Sequence, residues 1–469
     1  MKSIFAASSV LALVVVFVGS ARAGESDTEA LRAELRAMRQ AYEGRISALE
    51  GEIKELKVVG VARKETSAKI DDVLTKSSAL EKSAGRTFNI DSGNPVRGGP
   101  RLNLGGYTEF TYIDRGDTIG QFNQLKTVAE LGAQINERIK LYIEVEQENG
   151  DTIEGEGGGE GEFEIEQAWL DYSINKAINF RAGSILVPVG HFNLYHEGFI
   201  NNLVDRPLVD RWVIPTTWYE EGMGFHGTVL DTDSLGISYE AYVYNAANAR
   251  NINSEVGFRE MRNEGHPPIY DGKSGAARVA FEPARRFKQF ADFLEIGVSG
   301  FVSSFKGFNG KTEDGDSINL HDGRIQVTAL DATYEKWNLG VRGEVAFSHM
   351  DSGGNETQRK QDGWGYYIEG FYKFWPKFLN SSPFGKDFKD PKLVFAARYD
   401  WVDLNRDSLD QRDMGRVTVG IGYRPLPNTV FKFDYQVDHS PSHRTGTTLE
   451  DSGQGRNTDA FLFGVMTGF

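Results

Sequence analysis

The chain has 469 residues, no cysteine and a formal net charge of −15. The absence of cysteine excludes disulfides within the chain, and the acidic balance argues against nucleic acid as a partner, because binding a phosphate backbone requires a basic surface. No apolar run approaches the roughly 20 residues that a transmembrane helix needs, which excludes a helical membrane protein.

Residues 1–23 have the pattern of a secretory signal peptide. Lys2 gives a positive start, residues 10–18 form an apolar stretch too short to span a bilayer, and a small-x-small triplet ends at Ala23. The mature chain is therefore expected to begin at Gly24. Its charge would be −15 − 2 = −17, since the signal removes Lys2 and one arginine.

Residues 24–83 are predicted to form a helical segment. Apolar side chains recur there at steps of three and four, with one irregularity beside Gly44, and charged residues occupy the other faces. The pattern predicts a short coiled coil, and a single amphipathic helix lying on another surface is the alternative. A linker rich in glycine, proline, asparagine and serine follows at 84–100. The apolar seam consists of Leu31, Leu35, Met38, Tyr42, Ile46, Leu49, Ile53 and Leu56.

From residue 101 to the end of the chain the apolar period changes to two, which predicts β-strands. In the fifteenth strand, for example, Phe431 and Phe433 alternate with Lys432 and Asp434. The fourth and tenth strands lose the alternation partway, and we interpret both as β-bulges. The sixteen predicted strands lie near 101–113, 124–135, 138–148, 162–174, 177–189, 222–230, 235–246, 275–283, 291–303, 323–334, 337–349, 363–375, 392–402, 415–424, 429–438 and 459–469.

The final predicted strand is apolar on one face and small or polar on the other. An apolar face suits lipid and a polar face suits a wet lumen, so the strand is typical of the closing strand of an outer-membrane barrel. An edge strand of a soluble sandwich is the alternative. The apolar face carries Phe461, Phe463, Val465, Thr467 and Phe469.

The lengths of the connections favour the barrel over the sandwich. Connections after odd-numbered strands are mostly long, such as 149–161 and 190–221, whereas those after even-numbered strands are mostly short, such as 136–137 and 335–336. Short turns on one rim and long loops on the other are typical of outer-membrane barrels. The sequence thus predicts an all-β fold, a 16-stranded antiparallel transmembrane β-barrel at 101–469, with the coiled-coil segment and both termini in the periplasm.

Three short motifs follow one another in the middle of the chain. A strand ends at Pro188-Val189-Gly190, a loop carries the pair Asp205-Arg206, and a glycine-rich strand begins at 221–224. In these motifs the chain resembles the phosphate-selective porin O/P family. The resemblance implies a trimeric outer-membrane channel in which the third long loop, 190–221, folds inward as a constriction. Phosphate selectivity is not carried over, because the family's anion path is rich in lysine and arginine whereas this loop has no lysine.

Charged side chains on the inward faces and in the third long loop are the candidate functional residues. Opposed charges across a narrow pore set its ion preference, although they also satisfy one another in a polar barrel interior. The candidates for the pore constriction and lumen are Glu197, Asp205, Arg206, Asp210, Arg211, Lys126, Lys140, Arg181, Arg342, Arg398 and Arg416. The same register turns inward Arg278, Arg324, Arg424, Glu109, Glu130, Glu144, Glu146, Glu344, Asp400 and Asp434.

Two further groups of residues have an ordinary and a functional interpretation. The loop 151–162 contains five acidic residues and no basic one, which favours a solvated loop over a divalent-cation site, since the spacing of a calcium loop is missing. The aromatic residues of the third long loop could stack on sugars, but packing against the barrel wall is favoured. They are Phe192, Tyr195, Phe199, Trp212, Trp218 and Tyr219.

These patterns together predict a porin, a passive diffusion channel for small hydrophilic solutes or ions with a weak preference for cations. The alternatives are a structural protein that anchors the envelope through residues 25–83, and a phosphate- or anion-selective porin. No nucleophile motif or metal-protease motif is found, so neither an enzyme nor a cofactor is expected. The expected partners are outer-membrane lipids, two further copies of the chain, and a cell-wall or periplasmic partner of residues 25–83.

Overall fold

The computed structural model describes the barrel region of the chain. The signal peptide, the coiled coil and the linker predicted from the sequence lie outside the described residues, as does the acidic loop at 151–161. No helix within the described part is long and apolar enough to cross a membrane. The described residues are 101–116, 120–148, 162–249, 252, 257–263, 272–283, 291–306, 308–311, 317–320, 322–352, 359–404, 413–439 and 458–469.

Sixteen strands close into one antiparallel barrel, which confirms the number and the positions predicted. Each strand pairs with its neighbours along the chain, except that β9 pairs with β12, because the short hairpin β10–β11 lies in the connection between them; this hairpin was not predicted. Pairing of β1 with β18 completes the ring. The strands are β1 (Arg101–Arg115), β2 (Gln121–Gln134), β3 (Ile139–Glu148), β4 (Glu162–Ser173), β5 (Asn179–Leu186), β6 (Tyr219–Asp231), β7 (Gly236–Asn245), β8 (Gly272–Glu282), β9 (Phe293–Phe305), β10 (Phe308–Lys311), β11 (Ser317–Leu320), β12 (Gly323–Lys336), β13 (Leu339–Ser352), β14 (Arg359–Phe374), β15 (Lys392–Asp403), β16 (Asp413–Leu426), β17 (Thr429–His439) and β18 (Thr458–Gly468).

Tight turns close the barrel at the rim where the first strand begins, and asparagine makes two of them. Asn136 Oδ1 accepts hydrogen bonds from the backbone N–H groups two and three residues further on, at 2.8 and 2.9 Å. Asn175 Oδ1 does the same at 2.8 and 3.0 Å. Such turns reverse the chain within a few residues. The connection 187–218, between β5 and β6, belongs to the opposite rim, as the sequence predicts.

Alternation along the strands separates an outward apolar face from an inward charged face. Phe433 of β17 pairs directly with Phe463 of β18, and their ring centroids lie 4.8 Å apart on the outside of the barrel. Their neighbours Lys432 and Asp434 point to the lumen, where they are buried. The outward face of β18 is therefore the one predicted from the sequence.

Phe469 provides a test of this outward assignment. Its backbone N–H donates to Gly106 O at 3.0 Å, and its side chain is 63% exposed. Because the side chain lies away from the lumen, Phe469→Ser should leave the conductance of inserted channels unchanged. The loss of an aromatic ring at the membrane boundary is expected to lower the amount of inserted protein severalfold. Immunoblots of outer-membrane fractions and single-channel currents measure the two effects, with Thr467→Ser as the matched outward control. Normal levels with altered conductance would contradict the assignment.

The two predicted bulges have different outcomes. In β4 the register shifts beside Glu166, which is the extra residue of a β-bulge, as predicted. In β12 the prediction of a bulge is wrong, because the strand pairs with β9 and β13 without any shift in register. Its alternation changes because Ile325 and Val327 face inward and are covered there by apolar side chains. Arg324 consequently points outward, so its predicted inward position is also wrong.

Candidate permeation pathway

A long loop, residues 187–218, crosses the inside of the barrel, and we call it the inserted loop. It contains two one-turn helices, α1 (His191–Leu194) and α2 (Val209–Trp212). Backbone groups of the loop are hydrogen-bonded to side chains of β1, β9, β13, β15, β16 and β17. The loop therefore lies in the lumen, as the family resemblance implies, and is held from most sides of the wall.

The inserted loop packs against apolar parts of the wall. Trp218 is fully buried and meets the ring of Phe301 edge-on, with 4.5 Å between the centroids. Ile325 of β12 belongs to the same cluster. Phe199, in the middle of the loop, packs edge-on against Tyr107 of β1 at 5.6 Å. These contacts agree with the packing role that the sequence favours for the aromatic residues of the loop.

The first turn of the inserted loop is fixed to β9 and β13. The N–H of Gly190 donates to Ser299 Oγ at 3.0 Å, and the N–H of His191 donates to Glu344 Oε2 at 2.9 Å. Gly190 has a φ of 76°, and a Cβ atom there would collide with the carboxylate of Glu344. Glycine is required at this position both for the backbone angle and for the close approach to the wall.

The middle of the inserted loop is held by a buried ammonium group. Lys432 of β17 is 0% exposed, and its Nζ donates to the carbonyl oxygens of Gly198 and Leu203 at 2.7 and 2.8 Å. The N–H of Gly198 donates to Glu109 of β1 at 2.6 Å. Arg424 of β16 donates to a third carbonyl of the same segment at 2.8 Å. Three wall side chains thus bind the backbone of segment 198–203.

The last part of the inserted loop carries an ion-pair network that unites several predicted candidates. Asp205 pairs with Arg211 at 3.0 Å and with Arg416 at 2.6 Å, and Arg416 also pairs with Asp438 at 2.6 Å. Arg398 donates to the carbonyl of Asp205 at 3.0 Å. Burial alone would raise the pKa of Asp205, but the charges of Arg211 and Arg416 hold it far below its ordinary value. Asp205 is therefore ionised, and the network spans the loop, β15, β16 and β17.

Three other candidates lie around this network. Arg342 pairs with Glu369 at 2.9 Å, and Arg206 donates to a carbonyl within the loop. The carboxyl group of Asp210 is 0% exposed. Burial, followed by the charge of Glu344, raises the pKa of Asp210 well above its usual value, so this group is held protonated. Asp205 and Asp210 of the inserted loop therefore differ in charge, although both are buried.

On the opposite wall, β3 and β4 carry a group of carboxylates that we call the acid cluster: Glu144, Glu146, Glu148 and Glu166. Lys126 contacts two members, Glu146 at 2.5 Å and Glu148 at 2.8 Å. His196 of the inserted loop approaches Glu166 with 2.9 Å between Nε2 and Oε1. Burial lowers the pKa of His196, but the charges of Glu166 and Glu197 outweigh burial and raise it. The acid cluster has more negative than positive groups, so this wall is negative.

Two predicted candidates lie apart from the inserted loop, toward the short-turn rim. Arg181 forms a bidentate pair with Asp171, at 2.8 and 2.9 Å, and its guanidinium lies over the ring of Trp169 at 3.8 Å. Lys140 is directly opposite Asp171 in the register of β3 and β4. These two basic residues belong to the wall near the short-turn rim.

Several residues that hold the inserted loop are not among the sequence candidates. His196 and Glu166 belong to no motif in the sequence, yet the two meet in the lumen. Glu369 also holds the loop, through Asn202 at 2.9 Å. The signal available for Lys432 is its place on the inward face of a cleanly alternating strand. Its partners are backbone atoms, which no sequence pattern marks.

Comparisons with known proteins agree with this architecture. The family model for phosphate-selective porin O and P matches residues 113–466. An uncharacterized protein of Aquifex aeolicus is 30% identical to this chain over 238 residues. The matched region covers 50% of this chain and 50% of that protein, so the chain spans about half the length of this curated relative. Among solved structures, the outer membrane channel DcaP of Acinetobacter baumannii has a TM-score of 0.50 at 10% identity, covering 80% of this chain and 99% of DcaP. The anion-selective porin from Comamonas acidovorans has a TM-score of 0.47 at 11% identity, covering 79% and 100%.

Proposed function

The chain belongs to the phosphate-selective porin O and P family, and we propose that it is an outer-membrane channel through which small hydrophilic solutes or ions diffuse passively. A barrel of sixteen strands is wide enough for an aqueous channel. The inserted loop narrows the lumen, and the charged residues on its two sides form the constriction. These are the residues of the acid cluster and of the network around Asp205.

We further propose a weak preference for cations, and the acid cluster is the observation that carries this proposal. Charged groups at a narrow point of a pore favour counter-ions. On the opposite side, Arg398 and Arg416 are bound to carboxylates, namely Asp400 at 2.9 Å and Asp438 at 2.6 Å. Basic groups compensated in this way attract anions only weakly. The expected mature charge of −17 (−15 − 2) acts in the same direction.

The reversal potential in a salt gradient tests both parts of the proposal. Purified protein in planar bilayers is expected to give discrete conductance steps and a K⁺ preference. Glu148→Gln should lower the permeability ratio about twofold, because a unit charge at roughly 10 Å in water contributes about 0.4 kcal/mol. Glu335 lies beside a turn of the short-turn rim, so Glu335→Gln is the control and should leave the permeability ratio unchanged.

The outcomes separate the competing functions. An anion preference that phosphate blocks would replace this proposal with the phosphate-selective channel. A bilayer that stays sealed at every voltage would favour an envelope anchor in which the barrel only holds residues 25–83 at the membrane.

We also propose a homotrimer with residues 24–83 in the periplasm, where the predicted seam joins neighbouring chains or binds the cell wall. The seam is short, about 40 Å at 1.5 Å per residue, and copies tethered at adjacent barrels would have a high effective concentration. Deleting residues 25–83 should weaken the trimer, measured by cross-linking and by gel mobility without heating, while conductance persists. Loss of all conductance would instead place the segment in the channel.

A further inference from the structure

We propose that His191, Glu295 and Asp331 form a binding site for a divalent transition-metal cation, represented by Zn²⁺, where the inserted loop begins. One potential ligand atom from each residue lies within 4.8 Å of the other two. The residues come from α1, β9 and β12, so the site joins the loop to two strands of the wall. One imidazole nitrogen with two carboxylates is a ligand set that suits zinc and similar divalent ions.

The charge around these residues favours a divalent cation. Arg278 contacts both carboxylates, with its Nη2 3.2 Å from Glu295 and 2.8 Å from Asp331. Glu344 is directly opposite Asp331 in the register of β12 and β13, an arrangement in which like charges repel. Three carboxyl groups thus surround one guanidinium, and a divalent ion would offset the excess of acidic groups.

Two buried polar atoms point to a missing positive partner. His191 Nδ1 lies 3.7 Å from Glu295 Oε1, which is too long for a hydrogen bond, and it has no other hydrogen-bond partner among the described residues. Glu344 is 3% exposed, and its Oε1 also has no hydrogen-bond partner in the described part of the chain. Buried polar atoms are rarely left unsatisfied. A metal ion on Nδ1 would satisfy the imidazole and offset the charge of Glu344.

The site is accessible to ions in the lumen. The side chains of His191 and Glu295 are 17% and 10% exposed, respectively. A bound ion would attach the first turn of the inserted loop to the wall beside the hydrogen bonds of Gly190 and His191. It would also neutralise carboxylates inside the pore. Zinc is therefore expected to reduce the cation preference of the channel.

Isothermal titration calorimetry of the full mature chain in detergent, with ZnCl₂ as the probe, tests the site directly. The wild type is expected to bind one Zn²⁺ per chain. Mutating a residue that only supports the ligands of a metal site weakens metal affinity roughly 10- to 100-fold, so His191→Asn, which removes a ligand, should weaken zinc affinity at least as much. Glu295→Gln should weaken it similarly. His226→Asn is the matched control: His226 also pairs with a lumen carboxylate, Asp171 at 3.1 Å, but within the part of the chain that the structure describes it does not belong to a group of three possible ligands.

Each outcome decides the proposal. Absence of zinc binding, equal binding by His191→Asn, or an equal loss in His226→Asn would overturn the site. Calcium binding as tight as zinc binding would overturn the transition-metal class. Conductance measured without zinc separates this site from the proposed function: wild-type protein that conducts but binds no zinc retracts the site alone. Zinc binding that depends on His191 in a protein that never conducts retracts the function alone.

Discussion

Lys432→Met should release the middle of the inserted loop from the wall. Methionine keeps much of the volume of lysine but leaves the carbonyl oxygens of Gly198 and Leu203 buried without their donor. Each buried acceptor that loses its partner costs about 1–3 kcal/mol. We therefore expect single-channel currents to become noisy and the mean conductance to change, because the loop moves within the lumen.

Trypsin gives an independent measure of the same release. Arg211 is the tryptic site of the inserted loop, because Arg206 is followed by Pro207, and Arg211 is enclosed by the barrel in the wild type. Cleavage after Arg211 should be at least tenfold faster in Lys432→Met, because the cost of two unsatisfied carbonyl oxygens exceeds the 1.4 kcal/mol that corresponds to a tenfold change. Lys273→Met is the matched control, because Lys273 is exposed at the other end of the barrel. Quiet currents and a protected loop in Lys432→Met would show that other contacts hold the loop.

Alkaline pH should loosen the inserted loop through His196. Nδ1 of His196 lies 3.0 Å from the carbonyl oxygen of Asn193, and Nε2 lies 2.9 Å from Glu166. Nδ1 donates to this carbonyl only when it carries a proton, and the ring forms an ion pair with Glu166 only when both nitrogens are protonated. Glu166 and Glu197 favour the imidazolium and Lys126 opposes it, with the net result that the pKa of His196 is raised. The charged ring thus strengthens docking below the ordinary pKa of about 6.5, and this contribution is lost as pH rises through the higher folded-state value.

Current noise and trypsin cleavage of the loop should therefore increase with pH above neutrality in the wild type. His196→Gln should remove this dependence and behave at every pH like the wild type at high pH. His349→Gln is the control, since His349 lies on the outward face and pairs with Asp362 at 2.6 Å. A wild-type loop whose protection does not change with pH, or a dependence that survives in His196→Gln, would exclude His196 as the titrating group.

The barrel could be predicted from the sequence because a lipid boundary and a charged lumen impose alternation on nearly every strand. The alternation fails as a guide where the lumen is not polar. Ile325 and Val327 face the apolar side of the inserted loop, so β12 shows an inward face that looks like an outward one. A tertiary contact, rather than a local backbone irregularity, changes the pattern there.

The candidate site was predictable only in part, for a related reason. Asp205, Arg398 and Arg416 could be assigned to the lumen because charges on inward faces are visible in the sequence, and the structure brings these three together. Their partners could not be assigned. Lys432 binds carbonyl oxygens more than 200 residues away, at Gly198 and Leu203, and backbone atoms have no signature in a sequence.

The seam between β1 and β18 has a consequence for the order of assembly. Tyr107 pairs with Gly468, a separation of 468 − 107 = 361 residues, so the ring cannot close before the last strand has been made. Closing so long a loop has a high entropic cost, and such contacts form slowly. Gly198 is bonded to Glu109 on one side of the seam and to Lys432 near the other. Segment 198–203 thus bridges the two terminal parts of the barrel, and we expect its docking to help align them for closure.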